Sequence, residues 1–174
     1  MTKPETHGHD QPDSRTDTIT PTSMTADRAE YATKVAAFAA LRSQTLAWNR
    51  DALCAALSGV GIARVVVRFD GERGFGQITD VDTYAAGGSV SRMPTADLAM
   101  QEAVFDGPAI TVEQRSLGGA IHFMSYALLE QAHGGVWDAG VGGYGHLKFD
   151  VENRQITLEF NKRVLTAVKL RHSF

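Results

Sequence analysis

The feature that most constrains the fold is a pair of alternating runs near the end of the sequence. Apolar and polar residues alternate from Leu147 to Val151, and after a break at residues 152–154 they alternate again from Ile156 to Asn161. Alternation of this kind is typical of strands with one buried and one solvent-exposed face. Two such runs across a short polar break predict an antiparallel hairpin. The rest of the chain must therefore cover the apolar face of this hairpin.

A second hairpin is predicted earlier in the chain. Residues 62–69 are rich in β-branched side chains, and a second run, residues 77–84, follows the glycine-rich turn at residues 70–76. We expect residues 110–115 to return to the sheet as a fifth short strand, and residues 85–108 to be irregular. The sequence thus predicts a mainly antiparallel sheet of four or five strands, made of two hairpins.

Helical spacing of apolar residues predicts the layer that covers the sheet. Residues 26–59 predict either two helices, the second capped by Asn49, or one long helix with a bend. Residues 117–131 predict a helix so broadly apolar that it should be buried. Residues 162–171 should extend the last strand or form a closing helical turn. Together these elements predict an α+β domain with its helices packed on one face of the sheet.

We expect this single domain to occupy residues 25–174. Residues 1–24 are rich in Thr, Asp and Pro and contain few large aliphatic residues. They are predicted to be a disordered tail, because so little burial cannot offset the entropy lost on ordering. The length of 174 residues and the hydrophobic fraction of 43% suit one domain with a substantial core.

Charge and cysteine content narrow the classes of function. A net charge of -3 argues against a nucleic-acid ligand. The single cysteine, Cys54, excludes an internal disulfide and a zinc site of paired cysteines, and suits a reducing cytoplasm. No apolar run approaches the roughly 20 residues of a membrane-spanning helix, and no signal peptide is evident. The glycines of residues 70–76 open a strand rather than a helix, so no nucleotide cofactor is expected.

No complete catalytic set is found in the sequence. His122 and Ser125 lie within one turn of a predicted helix, but no Gly-x-Ser-x-Gly elbow surrounds the serine. Cys54 is interpreted as a small buried residue. The metal-ligand candidates around the glycine-rich loop, residues 134–143, match no known metal cage, so no metal site is predicted. Those candidates are His133, Asp138 and His146.

The polar face of the two hairpins is the predicted binding surface. If the apolar residues face the helices, charged side chains of both signs share the opposite face, with loop aromatics as anchors. The candidate residues are Arg64, Arg68, Phe75, Trp137, Tyr144, His146, Lys148 and Glu159. The alternative interpretation is a solvated face with cross-strand charge pairs. Trp137 has its own two interpretations, because it either plugs the edge of the core or stands out as an anchor.

Five segments carry a resemblance to a known family. They are Ala63–Ile78, Leu128–Trp137, Tyr144–Val151, Ile156–Asn161 and Arg171–Phe174. They resemble a family of small uncharacterised bacterial proteins, a domain of unknown function that is often found in proteobacteria and on plasmids and other mobile DNA. Family members tend to be more acidic where this chain has Gly74-Phe75 and residues 136–142. The resemblance runs from about Ala32 to Phe174, and it implies no reaction and no catalytic residue.

These observations lead to two hypotheses. The first is a non-enzymatic cytoplasmic protein that binds another protein, as an accessory or counter-defence factor (of the anti-restriction or anti-CRISPR type) encoded on mobile DNA. It is motivated by an exposed face of mixed charge in a sequence without a catalytic set. The alternative is a small hydrolase or metal-dependent enzyme that uses the glycine-rich loop, residues 134–143.

Overall fold

The computed structural model of the chain describes residues 21–107, 109–166 and 169–171, with side chains from residue 27 onward. The first helix, α1, spans Pro21–Gly59 as one element, in agreement with the single-helix alternative. Most of the predicted tail, residues 1–20, lies outside the described part, and residues 21–24 belong to α1. Within the described residues, those up to residue 37 and those from residue 38 onward form separate compact units, and the second holds all the other elements.

The described residues of the second unit form seven strands, a second helix and a short 3-10 turn at residues 134–136. The bounds are β1 Ile62–Glu72, β2 Phe75–Ala85, β3 Val90–Ser91, β4 Asp97–Ala103, β5 Ile110–Ser116, α2 Leu117–His133, β6 Gly143–Asp150 and β7 Gln155–Lys162. The main sheet has the order β3-β2-β1-β6-β7, and its neighbouring strands are antiparallel. This architecture confirms the predicted α+β class.

Both predicted hairpins are present and lie next to each other, because β1 pairs with β6 as well as with β2. The β1–β2 hairpin closes through Arg73 and Gly74, with Glu72 opposite Phe75. These two turn residues have φ angles of 54° and 82°. Two consecutive positive φ angles match the twist of a tight hairpin, which explains why the turn contains glycine. The β6–β7 hairpin closes between Asp150 and Gln155.

One hydrophobic core joins α1, α2 and a single face of the main sheet. Val65 and Val67 of β1 and Leu147 and Phe149 of β6 are fully buried, as their alternation predicts. On the helical side the core includes Leu53 and the residues of α2 at helical spacing, which are Leu117, Ile121, Met124 and Leu129. Among the described residues, no helix contributes to a core on the opposite sheet face, whose side chains are exposed or half-buried. Within the described residues, no helix combines the length and hydropathy needed to cross a bilayer.

The region between β2 and α2 differs from the prediction. Residues 110–115 do form a strand, but β5 pairs with β4 in a separate two-stranded sheet and does not join the main one. The fifth strand of the main sheet is β3, which with β4 lies in the segment that was expected to be irregular. The prediction failed because residues 97–103 contain Leu, Ala, Met, Gln and Glu, which favour helix over strand.

A side chain of α1 fixes β4 in its extended form. Asn49 is 1% exposed, its Nδ2 donates to the backbone oxygen of Gln101 at 2.7 Å, and its Oδ1 accepts from the Gln101 N–H at 2.8 Å. The amide thus makes the two hydrogen bonds that a neighbouring strand would otherwise make. Asn49 therefore docks the β4–β5 ribbon onto the helical layer rather than capping a second helix.

The chain after β7 also differs from the prediction. The strand ends at Lys162, and residues 163–166 and 169–171 have no regular secondary structure. The guanidinium of Arg163 holds the start of this segment on the β1–β2 hairpin. It donates to both carboxylate oxygens of Asp70 at 2.8 Å and to the backbone oxygen of Gly71 at 3.0 Å.

Candidate functional site

The sheet face that the helices leave uncovered carries most of the predicted binding residues. Residues directly opposite each other on paired strands share a face, so the strand register places their side chains together. Arg64 lies opposite Asp150, Arg68 opposite His146, and His146 opposite Glu159. The six predicted residues on this surface, called the open face below, are Arg64, Arg68, Tyr144, His146, Lys148 and Glu159.

Arg68 is held by two aspartates of the neighbouring strand. Its Nη1 contacts a carboxylate oxygen of Asp82 at 2.8 Å and also one of Asp80. The hydrogen bond to Asp82 and the negative charge of that residue raise the pKa of Arg68. Because the site is exposed, these pairs fix side-chain positions more than they stabilise the fold. Arg68 is thus already engaged within the chain.

A second cross-strand pair lies on the other side of the open face. Nε2 of His146 lies 3.4 Å from a carboxylate oxygen of Glu159, which projects from β7. This contact is an ion pair only when the imidazole is protonated. Asp80 thus contacts Arg68, and Glu159 contacts His146, each on the neighbouring strand. These cross-strand contacts agree with the solvated-face interpretation.

Two cations in the centre of the open face differ from this row. Arg64 and Lys148 are exposed, and among the described residues neither forms an ion pair. The Arg64 guanidinium lies 4.3 Å from the centre of the Tyr84 ring, so the aromatic ring holds it in place. Asp150, opposite Arg64, accepts from the backbone N–H and the side-chain amide of Asn153 at 3.1 and 2.9 Å. Arg64 and Lys148 thus remain available to an external anion.

Aromatic residues border the open face near the β1–β2 turn. Phe75 is 82% exposed and Tyr144 is 48% exposed. The guanidinium of Arg163 lies 5.1 Å from the centre of the Tyr144 ring. Phe75 lines a cavity together with Asp70 and Arg163. These exposed aromatic surfaces give the charged face an apolar border.

Trp137 is the one predicted binding residue that the structure places in the core. It is 8% exposed, and its ring packs edge-to-face on Phe69 with the ring centres 5.9 Å apart. The indole lies over Gly71 and Gly76, where added Cβ atoms would approach it within 2.8 and 2.2 Å. The two glycines form a cradle for the indole, and side chains at these positions would clash with it. Trp137 is therefore a plug and not an exposed anchor.

The three metal-ligand candidates are not brought together. His133 stacks on Phe160 on the helical side of the sheet, with the ring centres 3.9 Å apart, whereas His146 lies on the open face. Asp138 belongs to the glycine-rich loop, where its backbone oxygen accepts from the N–H of Gly74 at 2.8 Å. No group of three or more His, Cys, Asp or Glu side chains in the described part of the chain could hold a metal ion.

The glycine-rich loop packs against the β1–β2 turn, and this contact explains why glycine is needed in the loop. The backbone oxygen of Gly140 accepts from the N–H of Arg73 at 2.8 Å, so the loop is bonded to the β1–β2 turn. An added Cβ on Gly142 would lie 1.8 Å from the oxygen of Gly71, and Gly142 has a φ of 60°. Only glycine fits such an approach in that conformation. The loop therefore joins the two hairpins.

The two candidate nucleophiles, Ser125 and Cys54, are both buried. The Ser125 hydroxyl donates to the backbone oxygen of Ile121 at 2.8 Å and is fully buried. Cys54 is 1% exposed, and burial raises the pKa of its thiol. A thiol that resists ionisation is a poor nucleophile at neutral pH. Cys54 is thus a packed core residue, as the sequence suggested.

A cavity that the sequence did not reveal lies between α1, the β4–β5 ribbon and α2. It has a volume of about 800 Å³, and its rim includes Arg42, Arg115 and Glu130. Arg42 pairs with Glu130 at 3.3 Å, and Arg115 pairs with Glu113 and stacks on Phe123. Both arginines thus have an acidic partner, unlike Arg64 and Lys148 on the open face, while the buried Nε of Arg115 has no hydrogen-bond partner among the described residues.

Comparison with known proteins places the chain in a family. A model described as "Family of unknown function (DUF6878)" matches residues 45–174. The chain belongs to this family. The DUF6878 match begins within α1 and covers every strand and α2, so it contains the entire open face. No curated protein and no solved structure matches the chain.

Proposed function

We propose that this DUF6878 protein is a non-enzymatic, protein-binding domain whose open face receives a partner protein. The observation that carries the proposal is that Arg64 and Lys148 form no ion pair with any described residue, on a face where the neighbouring charges are paired. Their guanidinium and ammonium groups fit a carboxylate-bearing segment of the partner. Arginine and aromatic residues are enriched in protein interfaces, and Phe75 and Tyr144 supply the aromatic border.

The paired charges around the two cations suit a protein partner better than a nucleic acid. Asp80, Asp82 and Glu159 would repel a continuous phosphate backbone, and the chain has a net charge of -3. A protein surface can place opposite charges against each of these groups. Internal pairing also fixes the positions of Arg68 and His146, which lowers the entropy cost of docking.

The proposed biological setting is the bacterial cytoplasm, where the protein acts as an accessory or counter-defence factor encoded on mobile DNA. This part of the proposal rests on the resemblance of the chain to small bacterial proteins of mobile elements. In this proposal the factor acts by occupying a surface of its target, which requires a binding face and no catalytic set. Identification of the partner would test the setting, because that partner should then belong to a defence system.

The binding proposal is tested by affinity capture from the native host with three forms of the protein. The test variant Arg64→Glu/Lys148→Glu reverses the two free cations. The control, Arg42→Glu/Arg50→Glu, changes the net charge equally on the helical layer. We expect the wild type and the control to retain the same partner and the test variant to lose it, with melting temperatures confirming that all three fold. Equal retention by the test variant would contradict the proposal.

A further inference from the structure

The β4–β5 ribbon has a free edge. β5 pairs with β4 on one side and has no strand on its other side among the described residues. All but one of its residues are exposed, and Val112 is 62% exposed. A two-stranded ribbon with an exposed apolar residue on its outer strand is a template for the addition of another strand.

The hydrogen bonds of Asn49 establish which backbone groups point outward from β5. Because the N–H and C=O of Gln101 bond to Asn49, they point away from β5. Val112 lies opposite Gln101, so this is the non-hydrogen-bonded kind of antiparallel pair, and the N–H and C=O of Val112 point away from β4. The same direction recurs at every second residue, so the backbone groups of Gln114 also face the free edge.

The charges of β5 are complementary to those of a second, antiparallel copy of β5. A two-fold axis at Gln114 would place Glu113 opposite Arg115 of the second copy, and Arg115 opposite its Glu113. An axis at Glu113 would instead place two glutamates face to face, which is unfavourable. An axis at Val112 would leave Arg115 beyond the paired strands. The axis at Gln114 thus places each Arg115 opposite a Glu113 of the other copy and aligns outward-pointing backbone groups.

Arg115 is already positioned for such a contact. Its guanidinium lies 4.5 Å from the centre of the Phe123 ring, and it pairs with Glu113 of its own strand. A carboxylate from the second copy would approach an arginine whose side chain needs little further ordering. Closed two-fold interfaces of this self-complementary kind are the commonest in soluble homo-oligomers.

We propose that the protein forms a homodimer through β5, in which two β4–β5 ribbons combine into one four-stranded antiparallel sheet with the two-fold axis at Gln114. The contact is short, so the interface is smaller than that of a permanent dimer and the association is weak and concentration-dependent. This surface lies apart from the open face and is independent of the binding proposed for it.

Charge reversal tests the proposed register. Sedimentation velocity of the full chain from about 1 µM to about 1 mM measures the monomer–dimer equilibrium. We expect Glu113→Arg alone and Arg115→Glu alone to weaken dimerisation by about tenfold or more, since each places like charges opposite each other. The double variant Glu113→Arg/Arg115→Glu should recover dimerisation. A monomeric wild type, or a double variant no better than the single ones, would overturn the proposal.

A proline variant tests the use of the free edge without relying on charge. Gln114→Pro removes an N–H that points away from β4, so the monomer loses no hydrogen bond between β4 and β5. We expect this variant to keep its melting temperature and to be monomeric. A dimer that persists in a folded Gln114→Pro protein would also overturn the proposal. If proline disrupts the fold, the charge-reversal variants alone test whether β5 forms the dimer interface.

Discussion

The indole of Trp137 occupies the space that a side chain on Gly76 would need. A Cβ added to Gly76 would lie 2.2 Å from Cη2 of the indole, a distance at which neither group could remain in place. Gly76 belongs to β2 and Trp137 to the segment between α2 and β6, so this contact ties the glycine-rich loop to the first hairpin. The relation explains how a tryptophan among flexible residues becomes part of the core.

Replacement of Trp137 by alanine should therefore destabilise the fold. We expect Trp137→Ala to lower the free energy of unfolding by about 3 to 5 kcal/mol, the usual cost of removing a large buried aromatic side chain. Phe75→Ala is the matched control, because Phe75 lies in the same corner but is 82% exposed, and it should cost about 0.5 kcal/mol or less. Urea denaturation measures both values. Equal costs would refute the assignment of Trp137 as a plug.

A methyl group at Gly76 should be harmful only while the indole is present. We expect Gly76→Ala to cost about 1 to 3 kcal/mol through overpacking, and much less when it is introduced into Trp137→Ala. Gly87→Ala is the control, because an added Cβ there meets nothing within 4 Å. A double-mutant cycle on unfolding free energies gives the coupling. Additive effects of the two substitutions on the free energy of unfolding would show that Gly76 and the indole do not pack against each other.

Asn49 should be needed to hold the β4–β5 ribbon on α1. Asn49→Ala leaves the N–H and C=O of the half-buried Gln101 without their partner, and we expect a loss of about 2 to 3 kcal/mol. Ser43→Ala serves as a control, since the Ser43 hydroxyl is exposed and bonds only within its own helix. Amide hydrogen exchange gives a local measurement, because the Gln101 N–H should lose protection in Asn49→Ala. Unchanged protection of that amide would argue against the docking role.

The β6–β7 turn should show a pH dependence that depends on Asn153. Hydrogen bonds from Asn153 lower the pKa of Asp150 below its ordinary value of 3.8. A lowered pKa in the folded state means that this contribution is present above pH 3.8 and disappears as the pH falls through the folded pKa. In an NMR titration, Asn153→Ala should raise the Asp150 pKa toward 3.8. An unchanged pKa would assign the shift to another cause.

The elements that could be predicted from the sequence are those whose signals are local. The alternation of apolar and polar residues in β1, β6 and β7 predicted both hairpins and distinguished the open face from the core. Because alternate residues of a strand lie on the same face, it also predicted that Arg64 and Lys148 share one face. The broad apolar surface of α2 likewise predicted its burial. β4 could not be predicted in this way, because its extended form depends on pairing with β5 and on the distant side chain of Asn49.

The contacts between residues of the open face and of the glycine-rich loop were harder to predict from the sequence. Asp80 and Asp82 recur with the alternation of β2, so they could have been assigned to the open face, but the bulge near Ile78 obscured the parity of that strand. The burial of Trp137 depends on glycines far earlier in the chain and has no local signal. His133 and His146 bracket one loop in sequence, yet the sheet separates them.

The central claim, that the open face binds a protein through Arg64 and Lys148, is tested most directly by position-specific photo-cross-linking. A benzophenone side chain at Thr157, which is exposed and lies opposite Lys148, reports on the open face, and one at Gln44, exposed on α1, reports on the helical layer. In native-host lysate we expect a discrete adduct with a second protein from position 157 and none from position 44. That adduct should vanish in the Arg64→Glu/Lys148→Glu background. Adducts from position 44 alone, or an adduct at position 157 that survives reversal of both cations, would contradict the claim.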